Sequence, residues 1–554
     1  MVRLWKTTAA MLAGLSLCAA AQQPAVKIHI DAAHPMGDYK PVWNYFGADE
    51  PNYSYAPNGA KLLRELSAID PATPVYFRPH NLLTTGDGEG SLKWGSTNVY
   101  TERPDGSPVY DWTITDRLFD NLKAAHVRPM VEIGFMPEAL SPHPEPYRHG
   151  FPAKPDVYTG WSYPPKDYAK WRALIVSWVE HLHARYGADV DTWEWEVWNE
   201  PDIQYFHGTP AEYFKLYDIT TGAVRQVLPH AIVGGPAATG PYPSEKKPFF
   251  HDFLEHCARG LNADTGKTGA PLDFISFHPK GSPQFKDGHV TMGLARQLAA
   301  TDEGMRIVAE FPEYKQTPLI LSESDPEGCA ACQGPRNGYR NGALYGVSVA
   351  EMLARSSELA RRRGVNLLGA VTWAFEFEGQ PWFAGFRDLA TNGVDKPVLN
   401  VFRMYGKLGG KLLPVTSTGA LTVDEILQHG VTVAPDVNGI ATRQGNTVAA
   451  VLWNYHDEDV DAAPARLELE VDAIPAKQVQ VTQYRMDHDH GNAYTEWLAM
   501  GSPQKPTVEQ IATLGKVGGL ATMEDITVKK TATEPVRLKT SLPRQGVALY
   551  LLSW

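Results

Sequence analysis

The chain has 554 residues, 43% of them hydrophobic and 21% charged, values of a folded globular protein that exclude wholesale disorder. Lys and Arg number 51 against 63 Asp and Glu, a formal charge of −12, and no Lys/Arg block interrupts that acidic balance, which argues against a nucleic-acid partner. Aromatic residues reach 10%, with 15 Trp, enough to stack sugars and equally enough to fill a large core.

Residues 1–21 read as an export signal. Arg3 and Lys6 give a positive start, residues 7–17 are apolar or small, and Ala19-Ala20-Ala21 offers a cleavage site before Gln22. The apolar run is too short to span a bilayer, and no other segment approaches 18 apolar residues. The expectation is an exported protein, periplasmic or secreted, without a membrane partner. Cys18 suggests a lipid anchor, but Leu17 stands where a small residue belongs. Residues 22–40 hold one extended run, 26–30.

From 41 to 410 short apolar runs alternate with amphipathic stretches. Strands are predicted at 42–48, 74–78, 128–134, 192–198, 231–235, 272–277, 318–322 and 369–375. Each is apolar and bounded by Gly, Pro, Asp or Asn, as strands buried on both faces are. The clearest helix places Tyr168, Trp171, Ile175, Trp178 and Leu182 on one face, between Pro164-Pro165 and Gly187. Weaker helical periodicity lies at 59–69, 116–125, 211–227, 293–311 and 343–362. Strands and helices in this alternation predict an α/β fold, a (β/α)8 TIM barrel; an open doubly wound sheet would use fewer strands.

Beyond Gly409-Gly410 the pattern changes. Leu467, Leu469 and Val471 alternate with Glu468, Glu470 and Asp472, the mark of a half-buried strand, and 431–433, 437–441, 447–454, 479–484 and 546–552 also look extended. Residues 411–554 therefore predict a C-terminal β-sandwich packed on the barrel, with 26–30 joining it.

Cys329 and Cys332 form a Cys-Ala-Ala-Cys, and Cys257 stands alone. No second Cys or His pair at metal spacing follows, so no zinc site is expected, and no thioredoxin-like pattern surrounds the pair. In an oxidising compartment the reading is a disulfide pinning a loop.

Chemistry in such a barrel sits at the C-terminal ends of the strands. The fourth predicted strand runs Trp195-Glu196-Val197-Trp198-Asn199-Glu200-Pro201, and Glu200 falls just past its end. The seventh runs Ile320-Leu321-Ser322-Glu323-Ser324-Asp325-Pro326 and also ends in a carboxylate. Three βα units apart, Glu200 and Glu323 would face one cleft. Two carboxylates there meet the requirement of glycoside hydrolysis: one protonates the leaving oxygen, the other meets the cationic sugar. Their repulsion is expected to raise the pKa of one of them.

With these pieces assembled, the sequence resembles glycoside hydrolase family 39, the family of β-xylosidases and α-L-iduronidases. The resemblance runs through Gly47-Ala48-Asp49-Glu50-Pro51-Asn52, Ile133-Gly134-Phe135-Met136-Pro137, Trp198-Asn199-Glu200-Pro201, Ile275-Ser276-Phe277-His278, Glu323, Thr372-Trp373 and Lys396-Pro397. It extends to Gly491-Asn492-Ala493-Tyr494 and Met500-Gly501-Ser502-Pro503. It implies a retaining mechanism with Glu200 as acid/base and Glu323 as nucleophile, Asp325 being the rival nucleophile. It further implies that Asn199 binds the hydroxyl next to the reacting carbon, that Arg78 and His80 line the sugar subsite, and that His278 lies near the nucleophile. Trp373 would floor the sugar ring, and Glu376 and Glu378 would take its hydroxyls.

The expected activity is exo-hydrolysis of xylo-oligosaccharides from their non-reducing ends, a β-xylosidase needing no metal or organic cofactor. The alternatives are an α-L-iduronidase-like or other uronic-acid hydrolase and, more remotely, a non-catalytic carbohydrate-binding barrel. Lys280 bears on the choice. Phe277-His278-Pro279-Lys280-Gly281 resembles the iduronidase form, in which a Lys meets the substrate carboxylate. The Arg that iduronidases add after the eighth strand is matched here by Leu389-Ala390-Thr391-Asn392-Gly393, with Arg387 nearby but out of place. Lys280 can equally bind a neutral hydroxyl, pair with Glu376 or Glu378, or cap a subsite for a pentose.

Overall fold

Eight short parallel strands close into a barrel in the order of the chain: Tyr45–Ala48, Val75–Pro79, Val127–Ile133, Glu194–Val197, Ile232–Thr239, Phe274–His278, Pro318–Leu321 and Asn366–Thr372, the fourth pairing back onto the third. This computed structural model describes residues 24–92, 95–146, 148–151, 154–158, 160–243 and 248–554; the export segment read over 1–21 lies outside them. Each strand is followed by a helix, the arrangement of a TIM barrel.

The helices follow their sequence signals. Tyr168–Tyr186 starts where the Asp167 carboxylate accepts from the amides of Ala169 and Lys170, buries Trp171, Leu174, Ile175, Trp178 and Leu182, and ends at Gly187 with φ +61°. Pro210–Val227 opens on a reciprocal capping box between Thr209 and Glu212. Two barrel helices escaped the sequence reading, Phe249–Arg259 and Pro397–Tyr405. The first buries Phe249, Phe250, Phe253, Leu254 and Cys257 at three-to-four spacing, so its signal was present. Cys257 is a core residue whose thiol burial pushes well up.

Two antiparallel-rich sheets follow. One has the strand order Val415–Ser417, Val26–Ile30, Ala465–Val471 and Val536–Leu542. The other has Gly37–Asp38, Lys411–Leu413, Asp436–Gln444, Thr447–Tyr455, Gly546–Ser553, Gln478–Met486 and Ala521–Lys529. Val26–Ile30 pairs in parallel with Ala465–Val471, Val26 opposite Leu467 and Ile30 opposite Val471. Period-two alternation divides the second sheet. Val448, Ala450 and Leu452 enter the sandwich core with Ile28, Ile30, Leu467 and Leu469, whereas Ala449, Val451 and Trp453 join the barrel's core.

Two expectations need correction. Residues 431–433 are not extended: the Thr422–Glu425 capping box starts a short helix, Val423–His429, and after Gly430 the chain bends, sending Val431 inward and leaving Val433 94% exposed. The eighth strand begins at Asn366 and stops at Thr372, upstream of the predicted 369–375. Among the described residues, no helix is long and apolar enough to cross a membrane.

Candidate active site

The fourth strand ends in a sharp turn. Trp198 and Glu200 adopt φ of +71° and +45°, conformations that β-carbons disfavour, and the turn is held by the Glu200 amide donating to Ala237 O at 2.9 Å. At the seventh strand end, Ser322 N donates to Phe277 O and Ser324 N to Val371 O, fixing Glu323 between the sixth and eighth strands. The result brings Glu200, His278 and Glu323 together, one ligand atom from each lying within 4.8 Å of the others.

His278 bridges the two glutamates. Its Nδ1 lies 3.0 Å from Glu200 Oε1 and 3.7 Å from Glu323 Oε1, while Nε2 is 3.1 Å from Ser322 Oγ. Glu323 is buried beside two cations, Lys280 Nζ at 2.7 Å from Oε2 and Arg78 Nη1 at 3.4 Å from Oε1, and His80 Nε2 lies 3.6 Å from Oε1. Burial alone would raise its pKa. The nearby positive charge, Lys280 foremost, overrides that and holds the carboxylate well below the usual range. The shift visible in this pair is thus a fall at Glu323, made by cations, where repulsion predicted a rise.

Arg78 is completely buried at the second strand end. Its Nε donates to Glu196 at 2.5 Å, its Nη2 to Asn199 Oδ1 at 3.1 Å, and its guanidinium carbon lies 5.0 Å from the Trp373 ring. His80 packs its ring 4.3 Å from Trp373 and places Nδ1 3.0 Å from Asp49. Burial pushes its pKa down to about 4, so the ring is neutral at ordinary pH. Trp373 reaches this position because the first strand has Gly47, where a β-carbon would lie 2.3 Å from the indole.

Lys280 pairs with Glu323 and, at 3.2 Å, Asp325; it does not take Glu376 or Glu378 as the sequence allowed. Asp325, the rival nucleophile, is a tether: both its oxygens accept from Trp373 N, at 3.0 and 3.2 Å, and Arg387 stands 3.5 Å away. Arg387 itself is fully buried against Trp373 O and Glu327. Glu376 and Glu378 stand apart from the cluster. Glu376 accepts from Gly393 N at 2.6 Å, with burial pushing its pKa up to about 8, and Glu378 binds Asn58 through both oxygens. Both hold the loop after the eighth strand to the start of the helix Pro57–Ser67 and the turn at Gly393. Cys329 and Cys332 are joined by a disulfide in the loop after Glu323, whose carbonyls at 329, 330 and 332 accept from Arg340.

The sequence reading missed Glu196, Glu132 and Asp49. For Glu196 the signal was the alternation Trp193-Glu194-Trp195-Glu196: in a strand buried on both faces, carboxyls at period two must enter the barrel; Glu132 and Asp49 are single acids beside apolar runs and carry no such pattern. Glu196 pairs in register with Glu132 across the third and fourth strands. As for metals, the Glu200, His278 and Glu323 trio has suitable spacing, but Lys280 and Arg78 already bring positive charge to it. A second trio, His29, Glu470 and Asp472, lies on the sandwich, with His29 bound to Asp472 and Arg537 to Glu470.

A closed (β/α)8 barrel with two carboxylates converging from its fourth and seventh strands defines a glycoside hydrolase. Comparison with known proteins gives the family: the model of glycosyl hydrolases family 39 matches residues 26–524, and the chain belongs to that family. It is 27% identical over 452 residues to a beta-xylosidase of Geobacillus stearothermophilus, 79% of each chain, and 25% identical over 552 residues to the alpha-L-iduronidase of Mus musculus, covering 94% of this chain and 78% of that one. The crystal structure of the GH39 enzyme from Xanthomonas axonopodis pv. citri superposes with a TM-score of 0.75 at 22% identity, covering 98% of this chain and all of that one.

Proposed function

We propose that this chain is an exo-acting β-xylosidase that removes xylose from the non-reducing ends of xylo-oligosaccharides by double displacement. The observation that carries the mechanism is that one oxygen of Glu200 and one of Glu323 approach to within 4.8 Å, which suits the roughly 5–5.5 Å carboxyl spacing of retaining enzymes better than the roughly 6.5–9.5 Å of inverting ones. Glu323, kept ionised, attacks the anomeric carbon, and the bond to the leaving oxygen breaks as Glu200 gives that oxygen its proton. Glu200, now a carboxylate and the more exposed of the two (13% against 6%), takes a proton from the water that attacks the glycosyl ester, releasing sugar of retained configuration and Glu323. Asn199 commits its amide oxygen to Arg78, leaving its NH2 to donate to a sugar oxygen.

For the sugar, Lys280 is the deciding residue. Its ammonium is already balanced by Glu323 and Asp325, and Arg387 is sealed away from the cleft, so a uronate would meet little free positive charge. A pentose, lacking a group at C6, suits a subsite capped by Lys280. The same lysine is what favours the second reading, an iduronidase-like hydrolase in which substrate binding draws it off Glu323. A panel of aryl glycosides tests both: β-D-xylosides should exceed α-L-iduronides and β-D-glucuronides in kcat/KM. Preference for a uronide, lost in Lys280→Ala, selects the second reading, and no hydrolysis of any member refutes both.

A further inference from the structure

Asp325 is buried two residues past Glu323, yet the double displacement leaves it without a task. Donors meet its carboxylate. Both oxygens accept from Trp373 N, at 3.0 and 3.2 Å, Oδ2 also accepts from Lys280 Nζ at 3.2 Å, and Arg387 Nη2 stands 3.5 Å away. The backbone of Lys280 is held in the same place. Tyr242 OH donates to its carbonyl at 2.8 Å, and the next amide, Gly281 N, donates to Asp325 O at 3.4 Å. A β-carbon at 281 would stand 2.6 Å from Pro326 O, so glycine lets the two loops run this close. The ammonium is thus shared between two carboxylates, 2.7 Å from Glu323 Oε2 and 3.2 Å from Asp325 Oδ2.

The two carboxylates fare differently once the reaction starts. As Glu323 attacks, its charge passes into the new ester bond, while the leaving oxygen takes its proton from Glu200. A glycosyl ester is neutral, so Lys280 loses the counterion it had at 2.7 Å. A largely buried ammonium is costly to leave unpaired. Asp325 is the carboxylate that remains, bonded to Lys280 and kept from swinging away by the Trp373 amide.

We propose that Asp325 is a positioning residue that acts through Lys280: it fixes the ammonium beside Glu323 and serves as its counterion when Glu323 becomes the glycosyl ester, so that the lysine does not oppose the attack. The inference rests on the reading of Glu323 as nucleophile. The groups facing Asp325 are Lys280 from the loop after the sixth strand, Arg387 from the loop after the eighth, Glu323 and Glu327 from its own segment, and Tyr345 from the helix Ala343–Arg363. Those facing Glu323 are Lys280, His278, His80 and Arg78, with Glu132 and Glu200 beside them. Burial pushes the Asp325 pKa up against the pull of Arg387 and Lys280, whereas the cations hold Glu323 well down. As pH falls, Asp325 is therefore protonated first, and the charge of Lys280 then bears on Glu323 alone.

Variants of the full-length chain, assayed per folded molecule on the best aryl glycoside of the panel, test it. Asp325→Asn keeps an acceptor for Trp373 N and removes the charge. It should lower kcat by about twenty-fold or more, with KM changed less than about three-fold. It should also move the acid limb of kcat/KM to lower pH, because Glu323 then takes the whole charge of Lys280, whereas Lys280→Ala moves that limb upward. In the Lys280→Ala background, Asp325→Asn should cost less than about two-fold, since no ammonium is left to balance; the double variant should turn over about as fast as Lys280→Ala alone. An Asp325→Asn enzyme with the parent's kcat and acid limb would overturn the inference. So would an equal loss in both backgrounds, the mark of a merely structural role. If Asp325→Asn does not fold, Asp325→Ser, whose hydroxyl can accept from Trp373 N, decides by the same coupling. Labelling of the parent enzyme with the 2-deoxy-2-fluoro analogue of that glycoside separates the two claims. A label on Glu323 upholds the nucleophile reading whatever the coupling shows, and a label on Asp325 removes that reading and this inference together.

Discussion

The barrel's strand ends and the sandwich core are packed by opposite chemistry. Between the two sheets, Ile28, Ile30, Leu452, Leu467, Leu469, Val471, Val481, Val536 and Leu552 meet without a charged side chain among them. At the strand ends of the barrel, Arg78, His80, Glu132, Glu196, His278, Glu323 and Asp325 are buried to a similar degree, yet every one is ionisable. Apolar burial stabilises by about 25 cal/mol per Å². Burying carboxyls and a guanidinium costs free energy that close pairing only partly returns. The difference teaches that the polar cluster is not there to hold the fold; it is tolerated because the surrounding barrel and the sandwich packed on it are stable enough to keep it in place.

The sharpest way to break this division is to remove its central carboxylate. Glu323→Ala should reduce turnover on the order of 10⁴-fold or more for good and poor leaving groups alike, and azide should restore it with an inverted product. Glu200→Ala should cost roughly 100- to 10,000-fold on poorly activated substrates, far less on activated aryl glycosides, and its azide product should keep the anomeric configuration. Identical behaviour of the two variants would refute the split of roles. Lys280→Ala should lower xyloside kcat/KM by about ten-fold without abolishing it, the scale of one charge-assisted contact. Because Lys280 is the chief charge holding the Glu323 pKa down, its loss should also move the acid limb of the pH profile upward; an unmoved limb would count against that assignment.

A paired measurement sharpens the comparison on the stability side. Leu469→Ala in the sandwich should cost about 2–5 kcal/mol in chemical denaturation, with kcat per folded molecule unchanged. In the barrel, burial pushes Glu194 from 4.5 to about 8 while Tyr45 donates to it at 2.9 Å. Such a carboxyl is protonated when folded and ionised when unfolded between those two values, so its contribution to stability falls as pH rises from about 4.5 to about 8. Glu194→Gln should flatten that part of the stability-versus-pH curve, whereas Leu469→Ala should shift the whole curve with its shape intact.

What the sequence could convey followed the same division. The eight barrel strands and the alternating strand around Leu469 are written in hydrophobic period, which is local and was read directly. Glu200 and Glu323 were legible because each follows a strand end in a barrel whose topology brings the ends together. Lys280 was visible as a residue but not as the partner of Glu323, because the five residues between the sixth strand and the hairpin of Gln284–Lys286 with His289–Thr291 set no direction for a flexible side chain. Glu376 and Glu378 share the eighth strand's end with Trp373, yet the loop turns them toward Gly393 and Asn58. Glu132 carried the least signal: one acid in an apolar run, meaningful only once His80 and Arg78 stand beside it.

The proposed double displacement depends most on Glu200 and Glu323 acting as a retaining pair. Proton NMR of the first sugar released from the best substrate in the glycoside panel, recorded before mutarotation, tests this directly. Retention predicts that the product appears first with the substrate's own anomeric configuration. First appearance of the opposite anomer would contradict the double displacement and the roles built on it.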